Sequence, residues 1–156
     1  MGAEIERKFL VRDDSWKAGA EGKAFRQGYI CNKPEASVRV RISGRKAFLT
    51  IKGETRGMRR AEFEYPVPLE DAAELLDTLC EKPIIEKTRY LIPHEGGTWE
   101  LDVFHGENDG LVVAEIELPS EDAQFSRPAW LGEEVTSDAR YYNVNLVSNP
   151  YSKWKK

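Results

Sequence analysis

Eight stretches of this chain alternate apolar and ionised residues with a period of two, which restricts them to strands that bury one face and present charge on the other. The runs fall near residues 4–11, 24–31, 37–43, 47–53, 59–67, 84–92, 98–104 and 111–118. Turn residues separate them, among them Lys33-Pro34, Ser43-Gly44, the stretch from Gly53 to Gly57, Gly96-Gly97 and Asp109-Gly110. Gaps this short join antiparallel neighbours. Between the fifth and sixth runs, apolar residues at 72, 75, 76 and 79 predict an amphipathic helix over 70–80, ended by Pro83. After the eighth, a short helix is expected between Ser120 and Leu131. Ser137-Asp138 is expected to cap a last helix from Ala139 through Leu146. A chain of 156 residues has room for one core, so a single domain over 1–156 is expected.

The charged faces carry the chemistry. Glu4, Glu6 and Lys8 share one face of the first strand, Arg39 and Arg41 one of the third, and Lys52 continues them in the fourth. Arg60, Glu62 and Glu64 line up in the fifth, Lys87 and Arg89 in the sixth, Glu100 and Asp102 in the seventh, and Glu115 and Glu117 in the eighth. Any one pair alone reads as solvated surface. Seven strands whose polar faces are almost wholly ionised, with acids and bases grouped, are less ordinary.

Several classes are disfavoured. Twenty-three Lys and Arg stand against 27 Asp and Glu, so no global positive field exists to hold duplex nucleic acid. Cys31 and Cys80 form no C-x-x-C, and His94 and His105 form no ligand spacing. Gly22-Lys23 lacks the rest of a phosphate-binding loop. No apolar window approaches the length of a membrane span, and the acidic start resembles no signal peptide, so the cytoplasm is the expected compartment.

Eight antiparallel strands suffice to close a sheet into a small barrel, in which the ionised rows could lie inside. An interior of that kind needs water and counter-ions, because isolated buried charges cost several kcal/mol each. Carboxylates select hard divalent cations; Arg and Lys select phosphoryl oxygens. Residues i and i+2 on a strand lie about 6.6–6.8 Å apart, so Glu4 with Glu6, Glu62 with Glu64, and Glu115 with Glu117 are each spaced to reach around one ion or its waters. The outer apolar face then calls for cover from the 70–80 helix, the C-terminal helix or a second subunit, which leaves a homodimer among the alternatives.

The segment Glu4-Ile5-Glu6-Arg7-Lys8 resembles the E-x-E-x-K signature of the CYTH superfamily, the triphosphate tunnel metalloenzymes. Val38-Arg39-Val40-Arg41, Leu49 to Gly53, Arg60 to Glu64, Glu86 to Tyr90, Glu100 to Phe104 and Ala114 to Glu117 follow in that family's order. Gly132 to Thr136, with Asp138, Arg140 and Tyr141, resembles its C-terminal stretch. The resemblance implies a closed eight-stranded antiparallel tunnel binding a linear triphosphate with Mg²⁺ or Mn²⁺. It implies that Glu4, Glu6, Glu62, Glu64, Glu115 and Glu117 hold the ions, with Asp102 at a further acidic position. It assigns Lys8, Arg39, Arg41, Lys52, Arg60, Lys87 and Arg89 to the phosphoryl oxygens. Tyr29 matches a tyrosine proposed to act beside the signature lysine, with a packing role as the alternative; Asp138 is by default a helix cap.

The compact chain looks most like the small bacterial inorganic triphosphatases, which leads to an expected hydrolysis of tripolyphosphate to pyrophosphate and phosphate. The alternatives are an adenylate cyclase or thiamine triphosphatase on the same scaffold, a non-catalytic polyphosphate-binding domain, and a plain β-sandwich module.

Overall fold

The computed structural model describes residues 5–56 and 59–154, without the side chains of 55 and 59. The eight alternating runs form strands β1 (Glu6–Val11), β2 (Gly22–Asn32), β3 (Ala36–Ser43), β4 (Lys46–Arg56), β5 (Arg59–Val67), β6 (Ile85–His94), β7 (Gly97–Phe104) and β8 (Val112–Glu117). A ninth, β9 (Leu131–Glu134), pairs with β1, so the expected count of eight is corrected to nine among the described residues. All pairings are antiparallel, in the order β5-β4-β3-β2-β6-β7-β8-β1-β9. Among the described residues no hydrogen-bonded ladder joins β5 to β9, the two ends of that order. The fold is mainly β, an antiparallel sheet with few helices.

Register sets what meets what. Tyr29 stands opposite Arg39, Gln27 opposite Arg41, Lys52 opposite Glu62, Arg89 opposite Asp102, and Lys8 opposite Glu115. Directly opposed residues on antiparallel strands share a face, so these rows occupy one surface of the sheet. The other surface is apolar and covered in two places. Helix α1 (Leu69–Thr78) lays Ala72 and Leu76, neither exposed, against Val40 and Ala47. Gly28 lets it approach, since a Cβ there would stand 3.2 Å from Leu76 Cδ2 and 2.8 Å from the Cβ of Cys80 just beyond the helix. Trp99, fully buried, is the centre of the second cluster, with Phe9, Phe125 and Trp130 rings 5.6–5.8 Å away.

Two expectations about the C-terminal third are corrected. Residues 120–131 form no helix; Pro119 and Pro128 interrupt the segment while Phe125 and Trp130 dock on the Trp99 cluster. The last helix is also broken. Asp138 accepts a hydrogen bond from the Arg140 amide to cap a 3-10 turn (Ala139–Tyr141), Tyr142 then turns extended, and α2 runs only over Asn143–Ser148. Leu146 and Val147 of α2 are buried against Ile85, Phe104, Leu111 and Val113. No helix among the described residues is long and apolar enough to cross a membrane.

Candidate active site

The ionised face lines a cavity of about 690 Å³. Among the described residues, seven cations (Lys8, Arg39, Arg41, Lys52, Arg60, Lys87 and Arg89) and six carboxylates (Glu6, Glu62, Glu64, Glu100, Glu115 and Glu117) converge on it, with Tyr29 in the same wall. Glu4 lies outside the described residues. Asp102 is only 2% exposed and is not among the lining residues.

The deepest charges are tied together. Asp102 accepts two hydrogen bonds from Arg89, Nε at 2.8 Å and Nη2 at 3.0 Å, and pairs with Lys87 Nζ at 2.9 Å. Both its oxygens are thus occupied by side-chain cations, which suits an anchor for Lys87 and Arg89. Burial alone would protonate Asp102, but Lys87 and Arg89 outweigh it and hold the carboxyl far below its usual range. Lys87 is itself fully buried, and burial pulls its ammonium down to about 7 despite Asp102. Arg41 is lowered by burial and by the neighbouring charges of Arg39 and Arg89. Cations that depress one another in this way are a standing electrostatic strain, and a bound anion relieves it.

The remaining groups are partly satisfied. Arg41 Nε donates to Gln27 Oε1 at 2.8 Å, and Arg60 Nε to the Gly53 carbonyl at 2.8 Å. Arg39 Nη2 reaches Thr50 Oγ1 at 3.3 Å, and that hydroxyl donates to Glu64 at 3.0 Å. Arg39 Nε is buried with no hydrogen-bond partner among the described residues, an uncommon condition for an ionised donor. Lys8 Nζ lies 3.5 Å from Glu115 and donates to the Tyr141 carbonyl at 3.1 Å. Burial opposes ionisation of Glu115, yet Lys8 and Lys87 offset it and keep the carboxyl below its ordinary value.

The donor set fits a hard divalent cation in one particular way. It offers carboxylate oxygens and no histidine or cysteine, the chemistry of Mg²⁺ and Mn²⁺ sites. Among the described residues, however, no three acids stand close enough to hold an ion by themselves. Mg²⁺ is commonly bound by one or two carboxylates, with phosphate oxygens and water completing its shell. The residues therefore fit an ion shared with a phosphate ligand, and do not fit a protein-only cage.

Period-two reasoning found the charges and missed the neutral polar groups. Gln27, Ser37, Asn32, Thr136, Tyr142 and Asn143 also line the cavity. Gln27 and Ser37 lie at inward parity on β2 and β3, whereas Asn32 has the opposite parity from Gln27 and Tyr29 and is brought opposite Ser37 by a register shift between Tyr29 and Cys31. Thr136, Tyr142 and Asn143 come from the irregular C-terminal segment and leave no periodic signal.

A curved antiparallel sheet that gathers cations and carboxylates on its inner face is the architecture of a known class. The chain belongs to the CYTH domain family, whose model matches residues 2–151. It is similar to the inorganic triphosphatase of Acetivibrio thermocellus, 54% identical over 156 residues and 100% of both chains. It is also similar to the inorganic triphosphatase of Nitrosomonas europaea, 40% identical over 92% of this chain and 96% of that one. Among solved structures, that of the inorganic triphosphatase NE1496 superposes with a TM-score of 0.69 at 38% identity, covering 94% of this chain and 95% of the other.

Proposed function

We propose that this protein is a divalent-metal-dependent inorganic triphosphatase that hydrolyses tripolyphosphate to pyrophosphate and phosphate. The observation that carries the reading is the cavity's pairing of mutually repelling, buried cations with rows of carboxylates, next to an Arg39 Nε that has no acceptor among the described residues. The similar proteins named inorganic triphosphatase support the same substrate.

The proposed division of labour follows from mutual repulsion. Arg39, Arg41, Lys87 and Arg89, the cations that oppose one another's ionisation, receive phosphoryl oxygens and neutralise charge that grows on the leaving pyrophosphate. Lys8, Lys52 and Arg60 hold the rest of the chain. Glu6, Glu62, Glu64, Glu115 and Glu117, with Glu4, are proposed to hold the ions, Mg²⁺ or Mn²⁺. Such an ion supplies charge neutralisation and lowers the pKa of an attacking water. Seven lining cations nearly balance six carboxylates, so a polyanion entering alone would leave the cavity strongly negative, and metal ions correct this. Asp102 is proposed as the residue that orients Lys87 and Arg89. Tyr29, opposite Arg39 and 8% exposed, is proposed to help position a phosphoryl group. The proposed enclosure is a closed tunnel, with residues 1–156 as one domain; substrate and ions would bridge the unpaired β5 and β9 sides.

Incubating purified protein with tripolyphosphate and either Mg²⁺ or Mn²⁺ is expected to release phosphate. Absence of release with every divalent cation tried would reject the proposal. Cyclic AMP from a parallel ATP reaction would replace it with a cyclase.

A further inference from the structure

Asn143 opens α2 and faces the cavity from the C-terminal segment, outside every charged row. Its side-chain orientation is set chemically. Arg41 Nε can only donate, so the Gln27 atom it reaches is Oε1 and Gln27 Nε2 is a donor; the Asn143 atom facing that nitrogen, 2.9 Å from Lys87 Nζ, is therefore Oδ1. Gln27 Nε2 lies 3.4 Å from the same oxygen, and Gln27, fully buried, uses its own Oε1 to accept from Arg41 Nε. Both lone pairs of the Asn143 oxygen are thereby directed at donors. The amide nitrogen is left with two N–H groups and no acceptor among the described residues, on a side chain that lines the cavity. The backbone reinforces this placement. Tyr142, extended at φ −71° and ψ 131°, is fixed by its hydroxyl on the Thr136 carbonyl, and Leu146 and Val147 anchor the helix one turn on.

We infer that Asn143 is a substrate-contacting residue, whose locked amide presents Nδ2–H to a phosphoryl oxygen held by Lys87 and Arg41. This rests on the triphosphatase reading and adds to it a neutral donor contributed by the C-terminal helix. The oxygen braces Lys87 directly and Arg41 through Gln27, and the nitrogen contacts the ligand. A neutral donor recognises a phosphoryl oxygen without adding to the crowding of positive charge.

The two halves of the amide are separable by substitution. Asn143→Asp keeps an acceptor of the same shape for Lys87 and Gln27 but replaces the donor with a second oxygen. Asn143→Ala removes both. Tripolyphosphate binding is measured by calorimetry without metal, and KM and kcat with Mg²⁺, alongside Tm for each variant. The expected order of affinity is wild type, then Ala, then Asp. Asp should be weakened at least tenfold, with Tm at or above that of Ala. An Asp variant that binds and turns over like wild type would show that only the oxygen matters and would overturn the inference. So would an Ala variant with unchanged KM. Failure of the wild type to bind or hydrolyse tripolyphosphate would instead strike the parent reading, which keeps the two failures distinct.

Discussion

Asp102 shows why residue type and parity do not suffice to assign a role. Its position in the seventh strand makes it look like one more carboxylate for a metal. Its contacts, bidentate from Arg89 and direct from Lys87, support the proposed role of counter-charge to two buried cations. These roles predict different results in metal-free protein. Loss of one partner from a buried ionic network costs about 3–5 kcal/mol, so Asp102→Ala is expected to lower Tm by roughly 10 °C with no metal present. An unchanged Tm would mark it as a ligand waiting for its ion. Lys87 offers a second test. With its folded value at about 7, the free protein at about pH 8 holds this side chain mostly neutral, and a bound polyanion raises the value again. Binding should therefore take up close to one proton near pH 8 and few near pH 6. Calorimetry in buffers of different ionisation enthalpy reads this as the difference between wild type and Lys87→Met. An identical uptake in both would contradict it.

At the scale of elements, legibility tracked periodicity. All eight alternating runs became strands with ends displaced by at most three residues, because one-sided burial dictates their register. Strand β9 escaped notice because Leu131-Gly132-Glu133-Glu134 has no alternation and owes its conformation to β1, where Phe9 pairs with Glu134 and Val11 with Leu131. The 120–131 segment failed as a helix for a related reason: its aromatic residues answer to Trp99, not to each other. The charged wall of the site was likewise legible, since ionised residues recurred at every second position. Asn143, Tyr142 and Thr136 were not, since a tertiary contact, and no local pattern, brings them there. The same helix supplies a test of how far α2 supports the cavity. Leu146→Ala removes a fully buried side chain and is expected to cost about 2–5 kcal/mol. If α2 positions Asn143, the variant should also show a raised KM for tripolyphosphate at a temperature where it remains folded. An unaltered KM alongside the lowered Tm would restrict α2 to a structural role.

For the whole molecule, the central feature is a cavity whose two charge types are mutually incomplete. Its cations repel one another without an anion, and no three of its carboxylates, among the described residues, stand close enough to enclose an ion without help. Metal and polyphosphate should therefore bind interdependently. Titrating Mn²⁺ alone is expected to give weak binding, and saturating tripolyphosphate should tighten it at least tenfold, about 1.4 kcal/mol of coupling; equal affinities in the two titrations would remove the interdependence. The most direct measurement is a crystal structure grown with Mn²⁺ and a non-hydrolysable triphosphate, with the ions located by anomalous scattering. The account predicts manganese between the ligand's oxygens and the glutamates of β1, β5 or β8, with phosphoryl oxygens on Arg39, Arg41 and Lys87. Ligand and metal found on the outer face of the sheet, with the ionised rows still paired only to one another, would contradict it.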